Sequence, residues 1–446
     1  MTVTEKVERQ LGQIRRVNDR MRAVTTAMPE EALAKAAALD ARSEADRPAG
    51  PLAGLTVSIK DNIDVAGVSS TAGSRFFAER IANSDATVVA RLREAEAVLI
   101  GKVNLHEFAF GGTTQNPHHG SCRNAWNLDH IPGGSSGGSG ASVAAGMCDV
   151  SLGTDTGGSI RIPAALNGLV GVRPTVGRVS NHGAFPVSVM FDTIGPLAHT
   201  VAEAAAVFEV LAGYDAADEF SIDVPVQSWL SRRGAGLRGT RIGIPRNFFY
   251  DGIDPEVNDA VRLAAAQLGE LGMHLVDIDV PGAEFVHKQM SDVLLCDAAS
   301  VHRDRLEKQP ELFGADVRER MMIGYGISGL DHAAGLRAQM AWRRQVELLF
   351  ENVDAIVTPT VGFGAPPVAE SQAMIAATRN LTRLTFPWSF AQVPAISVPC
   401  GFTSAGLPIG MQVVGRHFDE ALLFTIGDAF EAATDHHRKR PAIWPQ

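Results

Sequence analysis

Cysteine is scarce in this chain of 446 residues: there are four, Cys122, Cys148, Cys296 and Cys400, with no C-x-x-C pair among them. That spacing excludes a zinc ribbon or a disulfide framework and fits a reducing cytosol. Positive charge is also in deficit. The formal net charge is −10, so the composition carries no basic footprint for nucleic acid. No apolar run reaches the length of about 18 residues that a membrane-spanning helix needs. The opening "MTVTEKVERQLGQIRR" lacks the apolar core of a signal peptide. Solenoid repeats are missing as well. Together these absences predict a cytoplasmic enzyme with neither nucleic acid nor membrane as a partner. A hydrophobic content of 45% supplies ample material for a large core.

What is present alternates helix and strand. Residues 4–45 read as helix, Ala-rich and mixed in charge. "LTVSIK" (Leu55 to Lys60) alternates apolar and polar positions as a strand does. "SDATVVARLREAEAVLIGK" predicts a helix capped at Ser84 or Asp85, then a strand at Ala97 to Ile100. Further on, "TRIGIP" and "HLVDIDV" flank the helix "PEVNDAVRLAAAQLGELG". "AIVTPTV", "AISVPCG" and "GLPIGMQVVG" are strands, and "DEALLFTIGDAFEAAT" is a closing helix. The pattern predicts an α/β protein with a single large mixed β-sheet covered by helices on both faces. Residues 1–446 are expected to form one unit, with 1–50 an N-terminal helical segment and about 240–446 a C-terminal α/β part. The best candidate for a subdomain boundary is Arg232 to Gly239.

The stretch from Gly133 to Ser142, "GGSSGGSGAS", has the composition of a linker. It runs straight into Val143, Ala144 and Ala145, however, and a solvated linker has no use for buried aliphatics. It is not a P-loop, since no lysine follows the last glycine, nor a dinucleotide fingerprint, since Gly140 is followed by Ala141, Ser142 and Val143. A nucleophile elbow must follow an apolar strand, and here "NLDHIP" precedes it. His106 opens like a zincin motif, but Phe110 stands where the second histidine belongs. His118 and His119 read as a solvated pair. What remains is hydroxyls with no histidine partner. A neutral lysine can activate such a group. Lysine is rare here, and Lys60 ends an otherwise apolar strand.

The elements "SIKDNIDVAG", "PGGSSGGSGASVAAG" and "LGTDTGGSIRIPAALNGLVGVRPT", in that order, resemble the amidase signature family. The likeness extends from about Leu52 to Glu420. It implies Ser159 as nucleophile, Ser135 (after a cis peptide bond) as proton relay and Lys60 as base. Thr156, Gly157 and Gly158 are then expected to turn backbone N–H groups, with that of Ser159, toward an oxyanion. Thr154, Asp155, Arg161 and Asp192 are expected to brace the site. Phe110, Gly111, Gly112 and Trp388 are the candidate substrate contacts. The resemblance requires no metal or organic cofactor. The family also includes the glutaminase subunit of tRNA-dependent amidotransferases, which "HEFAFGGTTQN" and "RNAWNLDHIPGGSSGGS" resemble. That subunit typically carries Asp-Glu-Phe where this chain has His106-Glu107-Phe108. This departure and a somewhat short C-terminal half make a stand-alone hydrolase the expected reading. Its substrate would be a small-molecule amide, anilide or carbamate, and a homodimer is left open.

Overall fold

The computed structural model describes residues 1–42, 50–229, 233–234, 236–369 and 371–445. In chain order its strands are β1 (Val24–Ala27), β2 (Thr56–Lys60), β3 (Val98–Val103), β4 (Gln115–Asn116), β5 (Gly120–Ser121) and β6 (Val150–Thr154). They continue as β7 (Val170–Arg173), β8 (Ile194–Ala198), β9 (Arg241–Pro245), β10 (His274–Ile278), β11 (Ala355–Pro359), β12 (Ala395–Phe402) and β13 (Pro408–Val414). β4 and β5 form a small hairpin. The others build an 11-stranded sheet in the order β1-β3-β2-β6-β8-β7-β12-β13-β11-β9-β10. The sheet is mixed: β2 runs parallel to β3 and β6, and β9 runs parallel to β10 and β11. The pairs through β6, β8, β7, β12 and β13 are antiparallel.

Successive side chains of a strand point to opposite faces, and here each face meets its own core. Val57 and Ile59 of β2, Leu99 of β3 and Val357 of β11 join helices Thr87–Glu94, Val201–Leu211, Pro255–Glu270 and Glu420–Ala432. Val98 and Ile100 of β3 point the other way, toward helices Val3–Met21 and Gly137–Ala144. Ile356 of β11 likewise joins the cluster of helices Ala283–Val301 and Ala315–Tyr325. Helices thus cover both faces, as the sequence predicts. Among the described residues no helix is long and apolar enough to cross a membrane.

Two expectations are corrected. The helix expected over residues 4–45 is broken into Val3–Met21 and Pro29–Asp40 by β1. Arg22 stops the first helix in the left-handed region, with φ of 53°. The Val24-Thr25-Thr26 run then pairs with β3 at the sheet edge, and Pro29 starts the second helix. The predicted end of that segment, near residue 45, lies outside the described residues, as do Arg232 and Ala235 of the proposed boundary. The helix expected to be capped at Ser84 or Asp85 starts at Thr87 with Ala86 as an uncapped N-cap. The Asp85 carboxylate is used elsewhere, accepting from the Ala66 N–H at 2.8 Å and pairing with Arg93 at 2.9 Å.

The first turn of helix Gly137–Ala144 lies against the chain just beyond β3. A Cβ at Gly138 would fall on the Asn104 carbonyl oxygen and stand 2.5 Å from the Asn104 nitrogen. Both obstacles are backbone, so no rotamer relieves them. Gly138→Ala is expected to destabilise the fold by at least about 2 kcal/mol, within the ordinary cost of overpacking. Urea denaturation followed by circular dichroism tests this, and an unchanged midpoint would refute the close approach.

Candidate active site

The polar face of β2 carries Thr56, Ser58 and Lys60, all buried. It turns toward helix Gly137–Ala144 rather than toward water. The Ser58 hydroxyl lies 2.7 Å from that of Ser151 and 3.3 Å from that of Ser142. One step along the same face, Lys60 Nζ donates to Ser135 Oγ at 2.7 Å and to Thr154 Oγ1 at 2.6 Å. Burial pulls the Lys60 amine down to about 7, against the attraction of Asp192 and Asp155. The alternation legible in "LTVSIK" therefore separates a core face from a buried polar face.

Ser135 sits in the loop ahead of that helix, and the Gly134–Ser135 peptide bond is cis. Its neighbours hold it through the backbone. The Thr114 hydroxyl donates to the carbonyls of Gly133 (2.8 Å) and Ser135 (3.2 Å), and the His106 N–H donates to Ser135 O at 3.0 Å. The Ser136 N–H donates to the Ser159 carbonyl at 3.3 Å, which brings the two serine loops together. A Cβ at Gly134 would meet the Gly112 carbonyl carbon at 2.8 Å. Only glycine lets these segments touch.

Asp155 organises the loop that carries Ser159. It accepts from the N–H groups of Gly158 (2.7 Å) and Ile160 (3.3 Å), from Arg161 Nε (3.0 Å) and from Arg173 Nη1 (2.9 Å). Both guanidiniums and the carboxylate are 0% exposed. Burial pushes the Asp155 carboxyl up, but the Arg161 and Arg173 charges outweigh it and hold it well below the usual carboxylate range. This corrects one expectation: the Gly158 N–H is engaged by Asp155 and does not face an oxyanion. Thr156, Gly157 and Ser159 do line the pocket described next. Asp192 accepts from the Thr156 hydroxyl at 2.5 Å and from the N–H groups of Val187 and Ser188. Burial raises its carboxyl to about 6 despite these bonds.

Ser159 opens onto a narrow pocket of about 30 Å³. Phe110, Gly111 and Gly112, candidate contacts in the sequence, line it. Trp388 does not. It is 0% exposed and stacks on Phe249 with ring centroids 4.9 Å apart, so it belongs to the core and touches no substrate. Arg320, which the sequence did not single out, is the one charged side chain among the described lining residues. It donates to the Phe110 carbonyl at 2.7 Å, with its guanidinium 4.0 Å from the Phe110 ring centroid. Burial lowers it to about 10, so it stays charged at neutral pH. In "DVRERMM" it reads like any solvated helical arginine, and no local signal marks it.

The histidines are also placed differently from expectation. His118 is not solvated; its side chain is 10% exposed and its Nε2 lies 2.9 Å from Glu107. His119 Nε2 lies 3.1 Å from the Thr71 hydroxyl. His106 is buried, with Nε2 2.8 Å from the Asp316 carboxylate on helix Ala315–Tyr325. Among the described residues no group of three or more His, Cys, Asp or Glu side chains could hold a metal ion.

A family profile described as "Amidase" matches residues 5–424. The A-type component of glutamyl-tRNA(Gln) amidotransferase from Moorella thermoacetica is 39% identical, covering 97% of this chain and 93% of its own length. The solved structure of the same component from Thermotoga maritima superposes with a TM-score of 0.82 at 31% identity, covering 97% of this chain and 95% of its own. A structure from a vestigial protein complex tied to the origins of an s-triazine catabolic enzyme gives 0.91 at 32% identity, with the same coverage. These relatives overturn the expectation of a stand-alone hydrolase of small amides or carbamates with no nucleic-acid connection. The two features behind it lose their weight. The C-terminal half is not short, since the match spans nearly the whole of each relative, and His106 is accommodated by its own partner, the Asp316 carboxylate.

The Asp155 cluster generates a test. Asp155→Ala leaves two buried guanidiniums unpaired and is expected to cost about 3–5 kcal/mol. The carboxyl is held below its unfolded value, so its contribution is complete above about pH 4, begins to decline as pH falls below that, and is fully lost only as pH falls through the much lower folded value. Thermal melts of wild type and variant at pH 7 check the first claim, and a wild-type series from pH 6 to 3 checks the second. A variant as stable as wild type at pH 7 counts against the cluster.

Proposed function

The chain belongs to the amidase family and is a hydrolase of carbon–nitrogen bonds, and from that premise we propose that it is the amide-hydrolysing subunit of an amidotransferase acting on glutamyl-tRNA(Gln). The observation that carries this reading is the likeness to A-type components of such amidotransferases at 36–40% identity over nearly the whole chain. In this role the chain takes glutamine, releases ammonia from its side-chain amide and leaves glutamate. A cytoplasmic setting agrees with four free cysteines, three of them buried.

The steps follow from the residues. Neutral Lys60 takes a proton through Ser135 from the Ser159 hydroxyl, whose oxygen attacks the amide carbon. The developing oxyanion is met by N–H groups of Thr156, Gly157 and Ser159, preorganised by the Asp155 and Asp192 networks. The relay returns the proton to the departing nitrogen, the C–N bond breaks and ammonia leaves an ester on Ser159. Water then enters by the same relay and frees glutamate and the serine. The lowered basicity of Lys60 supports its role, because an amine protonated at neutral pH could not begin the cycle. Arg320 supports the substrate assignment, since a guanidinium in an otherwise uncharged pocket suits the carboxylate of an amino acid.

Ser159→Ala is expected to abolish glutamine hydrolysis while leaving the thermal midpoint unchanged. Turnover should rise about tenfold per pH unit below pH 7 and level off above it, because only the deprotonated amine acts. Lys60→Met should remove the activity together with that profile. Arg320→Leu should raise KM for glutamine by about 10²-fold or more, in line with the loss of a buried charge-assisted contact, and should spare an uncharged short amide. Ammonia release measured across pH 5–9 reads all three. A folded Ser159→Ala protein that still turns over would remove the nucleophile assignment.

A further inference from the structure

The net charge of −10 conceals a local reversal. Two neighbouring surface depressions, of about 460 and 210 Å³, share His118 and His119 as a common wall. The larger is lined by Arg20, Arg22 and Arg123, with Asp19 its only acidic residue. The smaller carries Arg75 at its edge. Among the described residues, none of these four arginines has an ion-pair partner within 4.0 Å, so their charge is not spent on a neighbouring carboxylate. The other acidic groups here are already engaged. Asp61, in the smaller depression, pairs with buried Lys102 at 2.8 Å, and Glu107 behind the wall is engaged by His118.

The cluster stands on rigid backbone. The Asn116 side chain accepts from the N–H groups of His118 (2.7 Å) and His119 (3.0 Å), fixing the β4–β5 hairpin. The Arg123 N–H donates to Met21 O at 2.8 Å, and Asn104 Nδ2 donates to the carbonyls of Arg22 and Gly120. The end of the first helix and the hairpin are therefore stitched together with their arginines on one surface. The same segments lead to the active site: Thr114, which holds the Ser135 loop, runs directly into β4, and Asp61 follows Lys60.

We propose that these two depressions form a docking surface for the phosphate backbone of RNA, a reading that rests on the proposed amidotransferase role. Unpaired arginines with hydroxyl and imidazole donors between them suit phosphate and ribose oxygens. Arginine also serves in protein interfaces, but there it is joined by buried aromatic anchors such as Trp and Tyr, and the described lining contains no Trp, Tyr, Phe or long aliphatic side chain. The arrangement reads no bases, so it positions RNA without selecting sequence.

Fluorescence anisotropy of the purified chain with labelled unfractionated tRNA tests this between 50 and 200 mM salt. Four phosphate contacts predict a loss of affinity of roughly 10²-fold across that range. The variant combining Arg20→Ala, Arg22→Ala, Arg75→Ala and Arg123→Ala should bind at least tenfold more weakly with a nearly flat salt dependence. Its glutamine hydrolysis and melting temperature should match wild type, because none of the four lines the catalytic pocket. No binding by wild type, or equal binding by the variant, overturns the proposal. Displacement of tRNA by polyglutamate at equal charge concentration overturns it in favour of an acidic protein partner. The two readings fail separately: arginine-dependent tRNA binding without glutamine hydrolysis removes the glutaminase assignment and leaves the surface, and the converse removes only the surface.

Discussion

An amine buried at the end of β2, the third strand in the order of an 11-stranded sheet, is the constraint on which the rest of this structure depends. Lys60 can stay there only if its hydrogen bonds are met and its charge is avoidable. Ser135 and Thr154 meet the first condition. The second depends on what the nearest carboxylates are doing. Asp155 is committed to two arginines and two backbone amides, and Asp192 to Thr156 and two further amides. With both engaged, neither makes a direct pair with Lys60, and desolvation outweighs their more distant pull. A lone carboxylate in contact would keep the amine protonated. The arginines therefore act on the lysine without touching it, by occupying the acid that would otherwise compete for it.

The small residues follow from the same constraint. Hydroxyls in a buried site need partners, and most of those here are backbone carbonyls and amides. Ser136 bonds to Thr154, and Ser139 to the Leu152 carbonyl. For backbone to serve backbone in this way, chains must approach within contact distance, and a side chain at Gly134 or Gly138 would hold them apart. The flexibility suggested by such a composition belongs to the unfolded chain. In the folded protein every residue of helix Gly137–Ala144 is buried.

Much of the fold was legible because it depends on periodicity. The strand at Leu55–Lys60, the late strands and the closing helix occupy nearly the predicted positions, since alternation and helical spacing respond to burial on one face. The break at Arg22–Pro29 was not legible: Val24 to Ala27 is too short to outvote the helical residues around it, and only pairing with β3 makes it a strand. The order of the motifs pointed to Lys60, Ser135 and Ser159, and the structure brings the first two within hydrogen-bond distance. Motif order could not indicate that Asp155 takes the Gly158 amide or that Trp388 packs on Phe249, because both depend on partners set by the folded chain. His106 misled for a related reason. Its meaning lies in Asp316, a hydrogen-bonding partner on a distant helix.

By itself, then, the sequence determined the elements, the family and the candidate catalytic residues, because each is written in local patterns of hydrophobicity, glycine and motif order. Tertiary structure alone decided the environment of those residues. Among the described residues it left Lys60 with no acid in contact, delivered Arg320 from a remote helix to the pocket of Ser159, and gathered four arginines on one surface of an acidic protein. The reason is physical. Desolvation and electrostatic interaction depend on distance and burial in space, and a linear sequence specifies those only once it has folded.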